Sequence, residues 1–330
     1  MAVTMSMLDE RVRDSLVAAR RMKRDDDAVF AAGNPARGRA VSEPTQMRQQ
    51  VEEQLRRIGI DAEALERRRI TGRAESRRRL ATLKEDAVAR SGPRAESLRH
   101  LIDDAVAALD GLVATTGDTA TQYLTLDSPV QIWATDGIDL ESTAIEPYRS
   151  QAKLRMEASY YTSFFDAYVA GEEQLVHFQY LWGNPRQDAS AVVNVNAVVA
   201  LNGVCSAHSD GGIAGGGIAR LTLEPTLDLI QTWTQPISSA APQPGQSYRV
   251  ATVAADSTGL FSDDHDTFAV VFRGTSVGYD QAVVPPGQYL IIDVALRLYS
   301  ETIDGKVTAD FTTGLFNVSS PFVSLAIGFA

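Results

Sequence analysis

The chain reads as an α+β multidomain protein: an N-terminal α-helical segment followed by an all-β antiparallel sandwich of jelly-roll-like or Greek-key type. Three observations predict this. Apolar residues recur at three- and four-residue spacings before about residue 120 and at every second residue after it. Charge changes sign along the chain: residues 1–100 hold 22 Lys+Arg against 16 Asp+Glu, net +6, and the remaining 230 hold 9 against 26, net -17. All three tryptophans, Trp133, Trp182 and Trp233, lie in the later part, which is rich in Val, Thr, Gly and Pro. The division is placed between a charged helical region, 1–118, for oligomerisation or docking, and an acidic β-sandwich domain, 119–330.

The helical elements follow in order. Leu8, Val12 and Leu16 mark a first amphipathic turn series, and the AAGNPARG stretch at 31–38 loosens the chain. Met47, Val51, Leu55 and Ile58 share one side of a helix that Pro44 can open. Gly59 then Asp61 suggests a stop and a new N-cap. A helix from Asp61 to Ile70 is expected to break at Thr71-Gly72 and resume through Leu80, Leu83 and Val88 until Ser91-Gly92-Pro93. Pro93 opens another, with Leu98, Leu101, Ile102, Ala105, Leu109 and Leu112 on its buried side.

Within these helices Glu66 to Leu80 packs seven arginines into fifteen residues: Arg67, Arg68, Arg69, Arg73, Arg77, Arg78 and Arg79. Each run of three fans around about 200° of helix surface, so the cations do not form one face. Glu63, Glu66, Glu75, Glu85 and Asp86 stand three or four residues away, where they can pair along the helix. The segment has no aromatic residue for stacking on bases. An acidic protein surface, including that of another copy, is therefore the expected partner ahead of nucleic acid.

Beyond residue 120 the period is two. Val176, Phe178, Tyr180 and Trp182 point one way and His177, Gln179 and Leu181 the other. Val193, Val195, Ala197, Val199 and Leu201 share a face. Further strands are expected at 129–134, 151–158, 220–223, 227–233, 248–254, 267–273, 288–299, 306–311 and 322–329. GGIAGGG (211–217) lacks a helix behind it and reads as a hairpin loop rather than a phosphate cradle. PQPGQ (242–246) reads as a loop, and DGIDLE (136–141) as a turn without the full calcium-loop pattern.

Candidate chemistry is sparse. GTSVG (274–278) matches a nucleophile-elbow pattern around Ser276, but the helix that motif needs does not follow, so a strand-to-strand turn is expected. Cys205, the single cysteine, ends an apolar strand and reads as a buried small hydrophobe. Asp263, Asp264, His265 and Asp266 in one loop, with His208 and Asp210 in another, are the metal candidates. A loop-bound divalent cation is the one cofactor they could take, although no HxH or CxxC spacing sets a geometry.

With one cysteine there is no intramolecular disulfide to form. The N-terminus lacks a secretory h-region, so cytoplasmic synthesis is expected, with the product part of a particle or released assembly. No stretch is continuously apolar long enough to span a membrane as a helix. These features exclude little but favour a non-enzymatic structural or binding protein that self-assembles as a homo-oligomer. Its helices would associate and its sandwich would form a shell, spike or recognition head. The alternatives are a nucleic-acid-enclosing capsid-type protein and a carbohydrate-binding or carbohydrate-cleaving sandwich.

Overall fold

A computed structural model describes Glu53, Arg56, Arg57, Gly59, 61–115, 121–160, 170–210, 217–231, Trp233, 243–257 and 265–329. Two helices lead, α1 (Ala62–Ala89) and α2 (Ser91–Thr115). The Asp61 carboxylate caps α1 by accepting from the Ala64 amide at 3.0 Å, satisfying a donor that has no partner within the helix. The break expected at Thr71-Gly72 is absent, and α1 runs through both residues. Thr71 Oγ1 donates to the Arg67 carbonyl at 2.9 Å, so the hydroxyl folds back onto the helix. A single interior glycine costs only about 1 kcal/mol, too little to end it.

The rest is a sandwich of two antiparallel sheets. The eight-stranded sheet holds β1 (Thr121–Leu126), β3 (Ile138–Ala144), β4 (Gln151–Tyr160), β6 (Ala191–Ser209), β10 (His265–Val284), β12 (Gly305–Asp310), β13 (Asn317–Ser319) and β14 (Val323–Phe329). The six-stranded sheet holds β2 (Gln131–Ala134), β5 (Ala170–Gly183), β7 (Ile218–Gln231), β8 (Gln243–Ser247), β9 (Ala251–Asp256) and β11 (Tyr289–Ile303). Long β6 is the spine of the first sheet, paired with β10 along one side and with β14, β13 and β12 along the other. In the second, β11 lies between β5 and β7.

Alternation puts Val176, Phe178, Tyr180 and Trp182 of β5 against Val193, Val195, Ala197, Val199 and Leu201 of β6 in one core between the sheets. At Gly203 the backbone of β6 passes so close to Asp310 and the Phe311 ring that an added Cβ would lie 2.4 Å from the ring and 2.7 Å from the Asp310 carbonyl oxygen. Only glycine fits there.

Several expected boundaries move. The separate strands at 220–223 and 227–233 are one strand, β7, with Pro225 inside it. Pro225 sits where the neighbour changes, since β9 pairs as far as Leu223 and β8 takes over from Thr226. A missing N–H is tolerated at such a gap. GTSVG makes no turn: β10 carries it straight through, pairing Gly274 with Ala200 and Gly278 with Asn196. The irregularity comes later, between Tyr279 and Ala282, where Gln281 has φ 61° and its amide donates to Asn194 Oδ1 at 2.8 Å. PQPGQ contributes edge strand β8 instead of a loop. In DGIDLE the turn is confined to the first residues, with Gly137 at φ 93°, and Ile138 begins β3. Most of the GGIAGGG stretch, 211–216, lies outside the described residues, as do 1–52 with the first expected helix.

Both helices lie on the outer face of the eight-stranded sheet. The seat is small: Ala87 is buried with Val204 and Phe316, and Val88 and Phe268 pack around them. On α2, Leu98 is the one buried apolar side chain among the described residues, near Gly274 of β10.

Candidate functional site

The arginine-rich part of α1 lies ahead of this seat. From Ala62 to Arg79 every described side chain is exposed except half-buried Ala64. Side chains of Arg68, Arg69 and Arg73 lie outside the described set. Arg67 reaches the cap residue Asp61 at 3.9 Å. Among the described residues Arg77, Arg78 and Arg79 have no ion-pair partner, and Glu75, Glu85 and Asp86 do not close onto them. The pairing expected along the helix is thus not made at Arg77, Arg78 and Arg79 among the described residues, while the side chains of Glu63 and Glu66 lie outside the described set. At exposed positions its Coulomb gain is no larger than the cost of fixing two long side chains.

At the base of the arm the charge is used. Lys84 Nζ donates to Asp310 Oδ2 at the end of β12, and Arg155 of β4 lies 3.7 Å from the same oxygen. The Asp310 side chain is only 7% exposed. Burial by itself would raise its carboxyl. Opposing that, the Lys84 ammonium and hydrogen bonds from Thr312 and Thr313 hold it well below the usual carboxylate range. One buried carboxylate therefore fastens the helix to the sheet.

The two halves of the metal candidate set do meet. His208 at the end of β6 stands opposite Asp266 at the start of β10. Its Nδ1 lies 2.7 Å from Asp266 Oδ1, and its Nε2 lies 3.0 Å from Asp210 Oδ1. With a carboxylate on each ring nitrogen, both nitrogens carry protons. The hydrogen bonds from Asp210 and then Asp266 raise the ring to about 9 against the opposing effect of burial. An imidazolium has no lone pair for a metal. Among the described residues no group of three or more His, Cys, Asp or Glu is arranged to hold a metal ion. His265 is exposed, and Asp263 and Asp264 lie outside the described residues.

Ser276 is exposed in mid-strand on β10, and among the described residues neither a helix follows it nor a histidine bonds to it. Cys205 is 1% exposed, and burial, aided by Asp310, pushes its thiol up to about 12. A thiol held so far from ionisation is not a nucleophile at neutral pH. His177, placed by alternation on the face of β5 opposite Val176 and Phe178, is fully buried, bonded through Nδ1 to both oxygens of Asp293 at 3.1 Å and stacked on Trp133 at 4.0 Å.

One feature went unread in the sequence. On the outer face of the six-stranded sheet a trough of about 700 Å³ opens over β5, β11, β7 and β9. Arg297 occupies its middle, with Nε against Glu173 and Nη1 3.7 Å from Glu224; Arg220 and Glu301 pair at 3.2 Å farther along. The signal was there as polar alternation, Arg220-Thr222-Glu224 matched by Arg297-Tyr299-Glu301, but either run alone looks like any solvated strand face.

No family model and no curated protein matches the chain. Among solved structures, it is similar to TmCBM61 in complex with β-1,4-galactotriose at 8% identity and TM-score 0.19, over 54% of this chain and 86% of that one. It is also similar to structures of infectious bursal disease virus. The Gx strain aligns at 10% identity and TM-score 0.14, over 60% of this chain and 40% of the other; the Gt strain at 11% and 0.09, over 55% and 49%. None of these likenesses bears on function. Among the described residues, no helix is long and apolar enough to cross a membrane.

Proposed function

We propose that the protein is a non-enzymatic, self-assembling structural protein, with the helical region joining copies and the jelly-roll-like sandwich serving as shell, spike or recognition head. The observation that carries this reading is the cationic stretch of α1. Arg77, Arg78 and Arg79 stand exposed, without ion-pair partners among the described residues, on a helix that spans about 42 Å at 1.5 Å per residue and whose end is seated on its own sandwich. The sandwich offers carboxylates of the opposite sign, with Asp136, Asp139, Glu141, Glu146, Asp256 and Asp280 all exposed. Opposite fields on the two parts of one chain favour docking of one copy's arm on another copy's head.

Sedimentation velocity at 50 and 500 mM salt, with negative-stain imaging of the same samples, tests the reading. Salt-sensitive oligomers or particles free of nucleic acid are expected. Particles that absorb strongly at 260 nm would transfer the role of the arginines to a packaged polymer. A monomer at every salt concentration would overturn self-assembly.

A further inference from the structure

The trough on the six-stranded sheet is built from side chains of both signs at matched strand registers, a feature self-assembly through α1 does not use. Tyr299 stands opposite Glu173 on β5 and Thr222 on β7, Arg297 opposite Glu224, and Glu301 opposite Arg220; Thr222 faces Thr252 of β9. Arg249 enters from the chain just before β9, exposed and, among the described residues, without an ion-pair partner. Among the described residues three arginines and three glutamates line it, which makes that lining formally neutral. It has no aliphatic floor, and its ring is Tyr299, half-buried with its hydroxyl close to Gly171, where an added Cβ would lie 2.8 Å from that oxygen.

These properties select a ligand class. An apolar ligand would desolvate six charges and return no hydrogen bond to any of them. A phosphate or sulfate ester would meet three carboxylates, and a cation would meet three guanidinium groups. A neutral polyhydroxyl compound avoids both conflicts. Each hydroxyl donates to a glutamate and accepts from an arginine or a threonine, and the C–H face of a sugar ring can lie against Tyr299. The volume lies within the range of small-molecule sites. We infer that this trough is a binding site for a neutral saccharide, with Arg249 and Tyr299 as its accessible contacts and the Arg297–Glu173–Glu224 group as its preset polar floor.

The test is affinity gel electrophoresis of the full chain through mannan, xylan, galactan and dextran, with heparin as an anionic arm, followed by calorimetry on any polysaccharide that retards it. Retardation by at least one neutral polysaccharide is expected. Arg249→Ala should weaken it about tenfold, the scale of one hydrogen bond to a charged group. Arg249 is exposed and has no ion-pair partner among the described residues, so its removal leaves the fold intact, which far-UV circular dichroism checks. Tyr299→Ala supplies a second variant. The inference is overturned if none of the four neutral polysaccharides retards the wild type, if heparin alone does so, or if binding persists unchanged in both variants. Sedimentation of Arg249→Ala should match wild type, so loss of sugar binding and loss of assembly are separable.

Discussion

At the scale of single residues, two ionic contacts fasten segments far apart in the chain, and they respond to pH in opposite directions. Asp310 is held ionised by Lys84 and the Thr312–Thr313 turn. Its carboxyl is lowered in the folded state, so its contribution is present above the unfolded value of about 3.9 and lost as pH falls through and below it. Lys84→Met should lower stability at pH 7 by about 1–3 kcal/mol, because a buried carboxylate loses a charged donor. It should also flatten the fall in melting temperature between pH 5 and 3. Thermal melts across that range read both effects. His208 behaves conversely. Its ring is raised to about 9, so the stabilisation is complete below the unfolded value of about 6.5 and is lost as pH rises through 9, at most about 3 kcal/mol. His208→Gln should melt with little pH dependence between 6.5 and 9. A wild-type melting temperature that is flat over that interval would show the ring to be neutral.

At the scale of elements, the helices rest on the sandwich through few apolar contacts. Ala87 and Leu98 are their only buried apolar side chains among the described residues. Burying two such groups contributes on the order of 3 kcal/mol, small beside the core between the sheets. A protein beginning at Thr121 should therefore remain soluble and β-rich, with a melting temperature several degrees lower because Val204, Phe268 and Phe316 become exposed. Circular dichroism and calorimetry measure this. Failure to recover it folded while the full chain folds would make the helices part of the sandwich core. The strands themselves were legible because alternation is a local property: Val193 through Leu201 declare their face without reference to any partner. Continuity was not. Pro225 and GTSVG look like punctuation, yet both lie inside strands, since what neighbours a residue across the sheet decides whether a missing donor or a glycine costs anything.

At the scale of the whole molecule, the charge asymmetry is the property that assembly would use. Changing Arg77, Arg78 and Arg79 together to Gln should leave the sandwich folded and weaken association between copies. Exposed pairs contribute about 0.2–1 kcal/mol each, so the loss reaches at most about a hundredfold at low salt and shrinks at high salt. Dual-wavelength sedimentation of the variant reads association and nucleic-acid content together. Unchanged association would place the contact elsewhere on the chain.

The amino-acid pattern by itself determined the β-sandwich, the faces of β5 and β6, the burial of Cys205 and the cationic stretch ahead of an acidic head. Each depends on periodicity or on charge counted along the chain, and neither needs a partner to be known. Only the tertiary structure decided that His208 lies between Asp210 and Asp266, that Lys84 meets Asp310, and that Arg297 stands between Glu173 and Glu224. Those groups lie up to 226 residues apart. Strand order and register bring them together, and both come from packing two whole sheets, which no short window of residues encodes.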